Sequence, residues 1–119
     1  MVQDEKDSMV RELKGLAHEY AGTIAGSWLN EIDIDAVQVE LVEMRGDVVG
    51  KAMCGCILLR ECSVPSLLFG TYIHELRHIW QWKKHPIQYI IGKIIRPLIE
   101  RDAEEQEWLA DRWMDMQGK

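Results

Sequence analysis

The chain has 119 residues, 47% of them apolar and 29% charged, with a net charge of −6. That length supports one core and not two, so residues 1–119 are expected to form a single domain. The composition excludes disorder and collagen-like repeats. The acidic balance argues against nucleic-acid binding, which needs a cationic surface to displace counterions from phosphate.

Apolar runs stay far below the roughly 20 residues that span a bilayer, so no membrane span is expected. The first residues, MVQDEKDSM, are acidic and polar and do not resemble a secretory leader. Cys54, Cys56 and Cys62 are an odd count crowded together, which fits reduced thiols better than a disulfide framework. The expectation is a soluble, cytoplasmic protein. A tetrahedral zinc site on Cys54 and Cys56 would need a second close pair that the sequence lacks, so these residues read as small side chains packing in a strand.

From Ser8 to Trp28, the residues Met9, Leu13, Leu16, Ala17, Tyr20, Ile24 and Trp28 recur at helical spacing and predict an amphipathic helix of about five turns. Asn30 to Asp35 reads as its end and a turn. VQVELVE (37–43) alternates apolar and polar with period two, as a half-buried strand does. A turn at Arg45-Gly46-Asp47 follows, then strands over 48–53 and 55–61, one of which can be a bent continuation of the other. Pro65 breaks the pattern. A long helix is expected from Ser66, as its cap, to Lys84, ended by His85-Pro86.

Residues 87–99 are apolar and helical with a break near Pro97, and a last helix covers 100–116 before Gly118. Lys83, Lys84, Lys93, Arg96 and Arg101 make residues 83–101 a core helix with cationic ends, or else a membrane-surface or partner-binding helix. Trp80, Trp82, Trp108 and Trp113 are expected to pack the two long helices together. The abundance of apolar side chains in so short a chain leaves self-association open. The fold class is α+β: an N-terminal helix, a small antiparallel sheet, then three helices.

Chemistry concentrates in TYIHELRHIWQW (71–82). His74 and His78, four apart on a helix, share a face and can aim two imidazoles at one cation. Glu75 lies one position further round, where its carboxylate can reach a water on that cation without ligating it. Zinc then wants a third protein ligand. His85 does not supply the extended H-E-x-x-H-x-x-G-x-x-H pattern, because Gln81 and Lys84 stand where Gly and His are needed. The last helix offers Glu104, Glu105, Glu107 and Asp111. Glu107 shares a face with Ala103, Ala110, Asp111 and Met114, which suggests an inward carboxylate. Asp111 is placed to hold the second nitrogen of a ligand histidine. Glu104 is the alternative third ligand, and Glu105 reads as a surface ion-pair member.

His74-Glu75-Leu76-Arg77-His78, followed by Glu107-Trp108-Leu109-Ala110-Asp111, resembles the gluzincin pattern of zincin-like metallopeptidases, H-E-x-x-H with a later E-x-x-A-D. The resemblance covers roughly residues 37–117. It implies Zn2+ held by His74, His78 and Glu107, with Glu75 as general base and Asp111 supporting a ligand histidine. It implies hydrolysis of a peptide or protein substrate that pairs with an edge strand, here 55–61 or its neighbour. The family's enzymes are usually larger, so this chain would be a minimal catalytic domain. Tyr72, Tyr89 and Arg77 are candidates by type for stabilising the oxyanion. The alternatives are a catalytically weak or inactive zincin-fold binding or regulatory module, and a helical interaction protein.

Overall fold

The computed structural model describes residues 1–53, 55–94 and 96–118, the side chain of Met53 excepted. Helix α1 spans Gln3–Ala21, and two short 3-10 turns follow at Ser27–Glu31 and Ile34–Ala36. Strands β1 (Gln38–Val42), β2 (Gly50–Met53) and β3 (Cys56–Arg60) come next. The chain ends with helices α2 (Pro65–Lys84), α3 (Pro86–Ile94) and α4 (Pro97–Gln117). This is an α+β fold of four helices and a three-stranded sheet.

Helix α1 stops a full two turns before Trp28. The Thr23 hydroxyl donates to the Tyr20 carbonyl at 2.7 Å and accepts the Gly26 N–H at 3.0 Å, so a side chain supplies bonds that the next helical turn would have made. The chain folds back so closely that a Cβ on Gly26 would stand 2.2 Å from the Tyr20 carbonyl oxygen. Ile24, expected on the apolar face, is therefore 97% exposed, while Trp28 is buried from the first 3-10 turn.

The sheet is mixed, not antiparallel as expected. Its order is β1-β3-β2, with β1 parallel and β2 antiparallel to β3. Residues 43–49 carry the chain from one edge past β3 to the other, and a period-two pattern contains nothing about that route. Strand β3 is central, with Ile57 and Leu59 fully buried, so it has no free edge for a peptide. Its neighbour β2 pairs on one side only, and Gly55 (φ +77°) turns the chain between them.

Helix α2 is the centre of the molecule. Pro65 takes its first position after Val64, which caps it without a side-chain bond, so Ser66 is not the cap. Leu68, Phe69, Tyr72, Ile73 and Leu76 are buried in the core. Tyr20 of α1, Phe69 of α2 and Trp113 of α4 form an aromatic junction with centroids 5.2–5.9 Å apart. Trp80 packs edge-on to Trp28 at 6.2 Å. Trp82 and Trp108 are exposed and do not join the long helices as expected. Helix α4 approaches α2 at Gly70, where a Cβ would lie 2.1 Å from Asp111 Oδ1. Among the described residues no helix is long and apolar enough to cross a membrane.

Candidate metal centre

His74 and His78 leave α2 on the side facing the start of α4, with ring centroids 5.0 Å apart. Both are largely buried. Their Nε2 atoms converge on one carboxylate: Glu100 Oε2 is 3.2 Å from His74 Nε2, and Glu100 Oε1 is 3.1 Å from His78 Nε2. Donors bonded to zinc at 2.0–2.1 Å in a tetrahedron stand about 3.3 Å from each other. The two imidazole–carboxylate spacings are close to that edge length, and imidazole and carboxylate are donors that such an ion takes, so on this count the residues fit it. His74, Glu75 and His78 also each offer one ligand atom within 4.8 Å of the others.

The second nitrogen of each ring is held from behind. His74 Nδ1 meets Glu107 Oε1 at 2.8 Å. His78 Nδ1 meets Gln81 Oε1 at 2.9 Å, and Gln81 in turn donates to the Ile99 carbonyl and to Asp102 Oδ2. Asp102 accepts two bonds from Arg77, whose guanidinium lies 3.8 Å from the Trp80 ring centroid. Because both Nδ1 atoms face acceptors, they carry the ring protons, and both Nε2 atoms are left to point at Glu100. Two bare lone pairs facing a carboxylate would repel it. Either protons or a cation must lie between.

Burial disfavours the charge on His74, but the Glu107 hydrogen bond and the carboxylates of Glu75, Glu107 and Glu100 outweigh it and raise the pKa. Burial holds the His78 pKa down. Glu75 lies behind β2 and is bonded by the Ala52 backbone; burial, with Glu100 and Glu107 nearby, pushes its pKa up to about 7. That value belongs to the metal-free site; a cation held by the histidines would favour the carboxylate, which can then accept a proton. Gly50 lets β2 come this close, since a Cβ there would meet Thr71 Cγ2 at 2.7 Å and Glu75 Cγ at 3.4 Å.

Every predicted site residue has a definite place. His74, Glu75, His78 and Glu107 come together, and Glu107 sits on His74 Nδ1 and not on the Nε2 side. Asp111 lies against Gly70, one turn before His74, where burial and the charges of Glu107 and Asp115 raise its pKa. Glu104 is exposed. Glu100 is the residue that sequence reasoning missed, although the signal was present: positions 100, 103, 107, 110 and 114 form one helical stripe. Of the oxyanion candidates, Tyr72 is buried in the core and Arg77 is engaged by Asp102. Tyr89 stacks edge-on to His78 with centroids 6.4 Å apart. A cavity of about 680 Å³ opens beside His78, walled by Ala52, Ile79, Trp82 and Tyr89 with Lys51 and Lys93 also lining it.

The chain matches no protein-family model, no curated protein and no solved structure.

Proposed function

We propose that this chain is a zinc-dependent metallopeptidase of minimal size. His74, His78 and Glu100 are the protein ligands, Glu107 orients His74, and Glu75 is the general base. The observation that carries this is the meeting of both Nε2 atoms on the Glu100 carboxylate while both Nδ1 atoms are occupied by acceptors. Three ligands of this kind leave a coordination position for water. When bound, the ion would lower the pKa of water to about 7 and polarise a carbonyl as a Lewis acid. Manganese, cobalt or nickel would suit similar donors.

Glu75 takes a proton from the attacking water as its oxygen bonds to the peptide carbonyl carbon. The C–N bond then breaks, and Glu75 passes that proton to the leaving amine nitrogen. The free edge of β2, beside Glu75, can pair with an extended peptide through its main chain. The cavity next to His78 can then take a side chain flanking the scissile bond, and Tyr89 on its wall can donate to the developing oxyanion. The substrate on this reading is a peptide or protein, and the unbridged thiols of Cys56 and Cys62 suit a reducing cytoplasm.

One observation favours the rival, a weak or inactive binding or regulatory module of the same fold: Tyr72 is enclosed in the core and Arg77 is engaged by Asp102. The test is elemental analysis followed by a peptide-cleavage screen on wild type and Glu75→Gln. About one zinc per chain in both, with cleavage only in wild type, supports the peptidase. Metal in both without cleavage supports the module, and no metal after reconstitution defeats both readings.

A further inference from the structure

Residues 82–99 contain four cations, Lys83, Lys84, Lys93 and Arg96, and no acid, leaving ten cations against twenty acids in the rest of the chain. The same stretch is apolar on its outer side. Gly92 is the buried residue of α3, pressed against Ile99 so closely that a Cβ would meet Ile99 Cγ2 at 2.4 Å. That contact fixes the rotation of α3 and turns Ile87, Ile90, Ile91 and Ile94 outward, with Leu98 beyond them. Ile87 is 72% and Ile94 81% exposed. An expectation of a core helix with cationic ends is therefore not met: the helix lies on the surface with its isoleucines in water. Isoleucine side chains gain by leaving water, so a contiguous face with several of them wants a covering.

We propose that this face docks on an anionic lipid surface, the isoleucines entering the interface and Lys93 and Arg96 meeting lipid headgroups. Charge decides between occupants. A second copy seated symmetrically on the face would set its cations against the same cations of the first, whereas an anionic surface complements both halves of the patch. Lys83 and Lys84 are partly used already, since both bond to Glu31, so Lys93 and Arg96 carry most of the attraction. The strongly acidic remainder is repelled by the same lipid, which gives the docked molecule one orientation. The proposal does not depend on the metal centre.

The test is co-sedimentation of the full chain with vesicles of phosphatidylcholine alone and of phosphatidylcholine mixed with phosphatidylglycerol. Sedimentation velocity on the same samples without lipid reports the oligomeric state. Binding is expected to the mixed vesicles, and to weaken as salt shortens the Debye length. Lys93→Ala and Arg96→Ala are each expected to lower the affinity about fivefold, and Ile87→Glu/Ile94→Glu to abolish it. These positions are exposed, and unchanged circular dichroism is the control for folding. Equal binding to both vesicle types, or none to either, overturns the proposal. So does a wild-type dimer that ignores vesicles and becomes monomeric in Ile87→Glu/Ile94→Glu, which would make the face a self-association surface.

Discussion

In the proposed zinc site, replacing Glu100 and Glu107 one at a time by Gln tells a ligand from a supporting group, because the two carboxylates touch opposite nitrogens of His74. Glu107 Oε1 is 2.8 Å from Nδ1, and a glutamine amide oxygen can still accept that proton while losing its charge. Exchanging a charge-assisted bond for a neutral one costs about 1–2 kcal/mol, and losses behind a metal ligand typically weaken binding by about 10- to 100-fold. Glu107→Gln should therefore still bind one zinc, with a Kd raised by about tenfold, the low end of that range. Glu100 lies on the Nε2 side of both rings, at 3.1 and 3.2 Å, so Glu100→Gln removes the anionic donor itself. Its loss should exceed about 100-fold and leave the site with two strong ligands. The assay is competition with a chromophoric zinc chelator at fixed pH, with the exposed Glu104→Gln as the control that changes nothing. If Glu107→Gln abolishes binding while Glu100→Gln is tolerated, the assignment is wrong and Glu107 is the ligand, as the gluzincin resemblance implies.

Above pH 4.5, where Glu75 begins to titrate in the unfolded chain, the metal-free protein should lose stability as pH rises. Glu75 has its folded pKa raised from 4.5 to about 7, so its contribution is complete below about 4.5 and is lost as pH climbs through 7. That amounts to about 3 kcal/mol, readable by urea unfolding in chelator, and Glu75→Gln should flatten the curve. His74, also raised, works in the same direction above pH 6.5, whereas the depressed His78 opposes it only on the acid side. In Gly70→Ala the new Cβ would strike Asp111 Oδ1, so thermal unfolding should report a cost of about 1–3 kcal/mol. Most of that should return in Gly70→Ala/Asp111→Ala; a double variant as unstable as the single one would remove Asp111 from the explanation. Zinc at about 100 times its Kd should stabilise the wild type by about 2.7 kcal/mol, and a melting temperature indifferent to zinc would contradict the site.

Local order was open to reading in the chain itself. The spacing of Met9, Leu13, Leu16, Ala17 and Tyr20 marks one buried face of α1, and all five are buried. His85-Pro86 stops α2 where the pre-proline restriction says it must, and Gly118 closes α4 with φ +68°. The pairing of His74 with His78, with Glu75 beside them, needs only the pitch of a helix, because four residues return a side chain to the same face.

What faces that pair could be decided only by tertiary packing. The stripe through Ala103, Glu107, Ala110 and Met114 singled out the inward side of α4, yet Glu100 lies on the same stripe two turns before Glu107. How far α4 slides along α2 determines which carboxylate reaches the Nε2 atoms. That slide is set where Asp111 packs on Gly70 and Ala103 and Ala110 admit the neighbouring helix, contacts between residues tens of positions apart. The parallel pairing of β1 with β3 and the outward turn of the α3 isoleucines are of the same kind. Periodicity tells which side chains share a face, and only the neighbour that arrives tells what the face meets.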